Sequence, residues 1–216
     1  MKIKWYGHSA FGITGANGVH IVTDPYTVGA YDGALGYKAI TDRADVILQS
    51  HDHPDHAGGR VPGNAVVLRD AGVHKVRGVE FRALATDHDA SGGRERGSNT
   101  VFVFAVDGVT VAFMGDIGHV LTAEQAATIG PVDVLFVPVG GHFTVDAAGA
   151  TAIAEQLHAK VTFPMHFKTP ACGFPIAAVE PFLKNKPRVD RPGGAEVELT
   201  PETLAGPRVI VLDYAG

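Results

Sequence analysis

The chain has 216 residues and a formal net charge of −5, with 18 Lys and Arg against 23 Asp and Glu. That balance, with no run of Lys or Arg, argues against a nucleic-acid surface, which needs clustered cations. No stretch approaches the roughly 18 apolar residues of a membrane span, and the start, MKIKWYGHSAFGI, lacks the apolar centre of a signal peptide. Hydrophobic residues at 45% and charged residues at 19% are an ordinary globular balance, and the length suits one substantial domain, 1–216. Cys172 is the single cysteine, which excludes an intrachain disulfide and points to a reducing, cytoplasmic setting.

In chain order, Lys2–Tyr6 and Ala10–Ile13 alternate like strands and lead through Gly15-Ala16-Asn17-Gly18 to a third strand near 19–22. Residues 26–41 carry Tyr26, Tyr31 and Tyr37 without periodicity and read as a long functional loop. Val46-Ile47-Leu48 is a short buried strand, followed by strand-like stretches at 65–68 and 76–84 and a polar loop at 88–99. Residues 100–116 form the clearest hairpin, with Asp107-Gly108 at its turn.

Thr122 with Gln125 three residues on predicts a capping box opening a helix at 122–129. A buried strand is expected at 132–139. Ala150, Ile153, Ala154 and Leu157 then mark one helix face. Further expectations are a strand at 160–167, a helix at 176–183 and a last strand at 208–212. A strand-rich first half followed by alternating helices and strands predicts an α/β fold of two sheets with helices packed outside.

Eleven histidines are many for 18 Lys and Arg, and three of them fall in His51-Asp52-His53-Pro54-Asp55-His56, just past a buried strand. His51 and His53, two apart on extended backbone, point the same way and can grip one cation, while Asp55 and His56 belong to the next turn and can reach a second. Further ligands should stand at other strand ends. His88, Asp116 and His166 each follow an apolar run and precede loop residues.

These residues resemble the metallo-β-lactamase-fold hydrolases, and within them the branch that includes the ascorbate-6-phosphate lactonases. The resemblance spans nearly the whole chain. It rests on His51–His56 as an HxHxDH motif, on Gly7-His8-Ser9-Ala10-Phe11, Thr23-Asp24-Pro25, Gly115-Asp116, Pro138-Val139-Gly140-Gly141 and Pro164-Met165-His166. It implies a four-layer αβ/βα sandwich with one metal site of His51, His53 and His88 and a second of Asp55, His56 and His166, bridged by Asp116. Asp87 and His142 are substitutes for His88.

The resemblance also implies that Asp55 orients or deprotonates a hydroxide shared by two divalent ions, which attacks a small ester, lactone or phosphoester. His119 or His142 would protonate the leaving group. Zinc suits mixed His and Asp ligation best, with manganese or iron as alternatives. His8 and Asp24 are expected behind the ligands, Lys168, Arg94 and Arg96 could hold an anionic substrate, and Cys172 is structural. A homo-oligomer fits the family. Competing functions are a nuclease or phosphodiesterase of the same fold, a diiron redox enzyme, which would have a carboxylate in place of His53, and a scaffold that had lost ligands.

Overall fold

The computed structural model describes residues 1–215. Its first strands, β1 (Lys2–Gly7), β2 (Ala10–Thr14) and β3 (His20–Thr23), form an antiparallel meander. Their period-two alternation sends Ile3, Trp5, Phe11, Ile13 and Ile21 into the main core. Tyr6, Ala10 and Val22 face the opposite side and join a second apolar cluster. Two short parallel strands extend this sheet, β4 (Val46–Leu48) and β5 (Val66–Leu68).

A second meander follows: β6 (Gly72–Val76), β7 (Val79–Asp87), β8 (Ser98–Val106) and β9 (Val109–Phe113), the last two joined at Asp107-Gly108 as the sequence predicts. Helix α1 (Ala123–Ile129) opens with the predicted box, Gln125 N donating to Thr122 Oγ1 at 3.1 Å and Thr122 N to Gln125 Oε1 at 2.9 Å. Then come β10 (Val134–Pro138), α2 (Ala147–Gln156) and β11 (Val161–Met165). Every residue of β10 and β11 is buried, as parallel strands covered on both faces must be. The chain ends with α3 (Glu180–Leu183), β12 (Val189–Asp190), β13 (Glu196–Glu198) and β14 (Arg208–Ile210).

The six-stranded sheet runs β13-β1-β2-β3-β4-β5 and the eight-stranded sheet β12-β14-β11-β10-β9-β8-β7-β6. Side chains of both sheets share the main core. This is the sandwich expected from the sequence, with one difference in an outer layer. The three α-helices described all lie in connections of the eight-stranded sheet. Over the six-stranded sheet the layer is the 26–44 segment, whose Tyr26, Leu35, Tyr37 and Ile40 are buried with Cys172. Tyr26 Oη ties that segment down, 2.8 Å from Lys38 O and 3.1 Å from Tyr6 O, which share its one O–H.

The helix predicted at 176–183 shortens to one turn. Ala177 N donates to Gly140 O and Lys168 N to Ala177 O, both at 2.8 Å, which holds the preceding stretch extended against the sheet, and Val179 offers no side-chain cap.

Candidate metal centre

The residues of interest follow the carboxyl ends of β3, β4, β7, β9 and β11, the edge of a sheet where backbone polarity and loop freedom coincide. After β4 the chain turns at His53, His56 N and Ala57 N both donating to His53 O at 2.8 and 2.9 Å. This bend divides the motif. Ligand atoms of His51, His53 and His88 lie within 4.8 Å of one another, as do those of His8, Asp55, His56 and His166.

Asp116 stands between the two sets. Its Oδ2 is 3.0 Å from His56 Nε2 and 3.1 Å from His166 Nε2 on one side, and 3.4 Å from His88 Nε2 on the other. Asp55 Oδ2 lies 3.1 Å from His8 Nε2, 3.3 Å from His56 Nε2 and 3.9 Å from His166 Nε2.

The residues fit a metal. Nε2 of His51 and Oδ1 of Asp116 are buried without a hydrogen-bond partner, and Nε2 of His56 and His166 face Asp116 Oδ2 at 3.0 and 3.1 Å without hydrogen-bonding geometry, a costly state unless something else satisfies them. The opposite edges of two rings are held. His56 Nδ1 meets Asp24 Oδ2 at 2.8 Å. Ser50 donates to the same carboxylate from Oγ at 2.6 Å and from N at 2.7 Å, while its Oγ lies 2.9 Å from His51 Nδ1. A carboxylate behind an imidazole sets the tautomer and presents the other nitrogen to an ion. Asp24, which the sequence places behind the ligands, thus orients a histidine of each set.

Local backbone explains how such groups crowd together. Gly115 has φ +55°, and a Cβ there would meet the Asn99 and Ser50 side chains. Asn99 Oδ1 in turn accepts from Asp116 N at 2.8 Å. A Cβ on Gly118 would strike the backbone of His88 and Asp89. His8 and His166 are both left-handed, with φ 51°, a conformation that costs energy outside glycine and recurs at functional sites.

The imidazoles differ in charge within this small space. Burial, then the charge of His56, pushes the His51 imidazole down to about 2, and burial pushes His8 down to about 4. Burial also lowers His88, against the pull of Asp116. Burial opposes charge on His56 too, but Asp116 and Asp55 outweigh it and hold His56 well above the ordinary histidine range. In return, histidine charge outweighs burial at Asp116 and at Asp55, leaving both carboxyls below the usual carboxylate range. Burial raises the Asp24 carboxyl, against its bonds to His56 and Ser50.

All seven predicted ligands therefore converge. Asp87 and His142, the substitutes for His88, do not join them. His142 is exposed, and His119 is half-buried with Nδ1 2.9 Å from Val120 O. Neither lines the cleft of about 230 Å³ that opens on the cluster, bounded by Tyr31, His53, Asp55, His88, Arg96, Asp116, Phe143, His166 and Phe174. Lys168 is spent on structure, its Nζ donating to Phe174 O at 2.8 Å, and the Cys172 thiol is buried, as expected of a structural cysteine. A larger cavity, of about 720 Å³ beside Ala154, Phe182 and Leu204, contains none of the cluster.

Sequence reading did not assign the aromatic wall. Tyr31 Oη donates to Asp55 Oδ1 at 3.1 Å, and Phe143 and Phe174 complete the lining. The tyrosines of 26–41 were the only signal, because which of the three reaches the cleft depends on a left-handed Tyr31-Asp32 pair, φ 56° and 55°.

The family model for the beta-lactamase superfamily domain matches residues 2–166, ending on the last of the seven clustered residues. The chain belongs to the metallo-beta-lactamase superfamily. Among its relatives are UPF0173 metal-dependent hydrolases from Carboxydothermus hydrogenoformans, 31% identical over 83% of this chain and 88% of the relative, and from Thermoplasma volcanium, 28% identical over 78% and 84%. A crystal structure from Thermotoga maritima, assigned to the Zn-dependent hydrolases of this superfamily, is 36% identical with a TM-score of 0.81 and covers 99% of both chains. This protein is accordingly a metal-dependent hydrolase.

Proposed function

We propose that the hydrolase holds two divalent transition-metal ions, His51, His53 and His88 around one, Asp55, His56 and His166 around the other and Asp116 between them, and cleaves a small ester, lactone or phosphoester. The observation that carries this reading is the Asp116 carboxylate, whose Oδ2 stands within 3.4 Å of histidines from both sets. Two such ions supply Lewis acidity and acidify water toward neutral pH. His-rich mixed ligation favours zinc, with manganese or iron as the alternatives.

The chain's own residues do the rest. Asp55 takes or directs the proton of the attacking water, held in place by His8 and His56 on Oδ2 and Tyr31 on Oδ1. The Tyr31 hydroxyl, pushed up to about 12 by burial and Asp55, stays protonated and keeps its one O–H on Asp55 Oδ1. Phe143 and Phe174 exclude water beside it. The small cleft favours a small molecule over a polymer, and the resemblance to the branch with the ascorbate-6-phosphate lactonases puts a lactone among the candidates. A single domain in a reducing cytoplasm, with the lone buried Cys172, suits this reading.

Metal content per chain decides it, measured on protein purified without added metal, with the His51→Ala and Asp116→Asn variants alongside. About two ions in the parent, reduced in both variants, is the expected result. A parent free of metal that also refuses added Zn²⁺ and Mn²⁺ would overturn the reading.

A further inference from the structure

Four residues of the cleft lie outside the proposed ligands: Tyr31, Phe174, Phe143 and Arg96. They form a continuous arc. Tyr31 meets Phe174 edge-on at 5.3 Å between ring centres, Phe174 meets Phe143 at 5.9 Å, and the Arg96 guanidinium carbon sits 5.8 Å from the Phe143 ring centre. One end of the arc is tied to Asp55 through the Tyr31 hydroxyl. The other end is a cation, and no second Lys or Arg lines the cleft among the described residues.

Arg96 is rigidly based although its loop is polar and rich in glycine. Asp89, directly after His88 and only 4% exposed, accepts from Ser91 N, Ser91 Oγ, Gly93 N, Glu95 N and Arg96 N at 2.6–3.0 Å. The backbone of Arg96 is thereby locked to that of a proposed ligand. Its guanidinium, in contrast, has one charged partner, Glu95 at 3.4 Å, and Glu95 is 64% exposed. Exposed pairs of that kind contribute little. A cation held over a ring, with an anchored base and no buried carboxylate of its own, is poised for an external anion.

We infer that Arg96 binds a carboxylate or phosphate carried by the substrate, so that the enzyme selects small anionic esters over neutral ones of the same shape. This rests on the hydrolytic reading above and adds the substrate class. The scissile bond would face the Asp55 end of the arc, a short apolar stretch would lie along Phe174 and Phe143, and the anion would reach the planar donor fork of Arg96. The cleft of about 230 Å³ falls below the usual range of about 300–1,000 Å³, which keeps the substrate compact. Arg94 is exposed and does not line the cleft, so it serves as an internal control.

The test uses Zn²⁺- or Mn²⁺-loaded parent, R96Q, R96K and R94Q with two matched pairs: monomethyl against dimethyl succinate, and 1-acetylglycerol 3-phosphate against 1-acetylglycerol. The parent should prefer the anion in at least one pair, which also tells carboxylate from phosphate. R96Q should cut the anion-to-neutral ratio of kcat/KM by about 10- to 100-fold, R96K should keep part of it, and R94Q should keep the parent ratio. Calorimetric binding of the same four compounds decides the case without turnover. Anion-selective binding that vanishes in R96Q, with no compound hydrolysed, leaves Arg96 assigned and sinks the ester-hydrolysis reading. A parent with no anion preference, or a preference that survives in R96Q, overturns the assignment.

Discussion

The two histidine sets are built from the same residue types a few ångströms apart, yet His51 and His88 in one are prepared oppositely to His56 in the other. His51 and His88 are pushed toward the neutral imidazole by burial and by the positive charge of His56. His56 carries a proton because the carboxylates of Asp24, Asp55 and Asp116 crowd it. His51 and His88 are ready nitrogen donors. His56 must surrender a proton before its imidazole can ligate. Protonation of a buried histidine is thus decided by how many carboxylates face it.

Removing the residue shared by both sets should do the most damage. Asp116→Ala is expected to lower metal content at both sites and to cut kcat/KM by more than the about 10- to 100-fold typical of losing a partner behind a ligand. Elemental analysis beside steady-state kinetics checks it, and full metal content in the variant would refute a bridging role. Asp24→Asn acts on His56 directly and on His51 through Ser50, so both affinities should fall by about 10- to 100-fold in a chelator competition. Loss confined to one ion would show that the Ser50 link carries nothing.

Gly118→Ala should separate the sets. Its Cβ meets the backbone of His88 and Asp89, which no rotamer change relieves, so urea denaturation should show a cost of about 1–3 kcal/mol. Affinity for the first ion should fall while the set around His56 and His166 still binds.

The pH response differs in size between the sets. His56 in the metal-free fold holds its proton above the ordinary value of about 6.5, so affinity for the second ion should climb with pH from there, by up to about tenfold per unit, until the raised value is passed. His51, at about 2, carries no proton at neutral pH and so adds no proton release to binding of the first ion between about pH 6 and 8. The same His56 proton stabilises the metal-free fold below the ordinary histidine value, and that contribution is lost as pH rises through the folded-state value. Metal titrations at several pH values read both trends, and parallel curves would erase the distinction. Smallest of all, Thr122→Ala removes a helix cap outside the cluster and should cost about 1 kcal/mol in thermal unfolding with metal content unchanged.

Much of this protein was legible in one dimension. Alternation along 2–22, the Asp107-Gly108 turn and the Thr122 capping box are local signals, governed by neighbours within a few residues, and each appears in the structure. The seven clustered positions were legible because each is a histidine or aspartate at or just past the end of a buried strand, and strand ends of two packed sheets meet at one edge.

What only the tertiary structure decided is long-range. The coil layer over the six-stranded sheet, and the shortened helix at α3, follow from hydrogen bonds such as Ala177 N to Gly140 O that no local pattern encodes. The choice of Tyr31 among three loop tyrosines and of Arg96 over Arg94 follows from backbone turns and from Asp89 locking the loop behind His88. His119 and His142 stand outside the cleft, which no local pattern foretold. Residue type and strand periodicity determine which groups can do chemistry. Which of them face each other is set by packing between segments far apart in the chain, and the opposed protonation of His51 and His56 exists only once those segments have met.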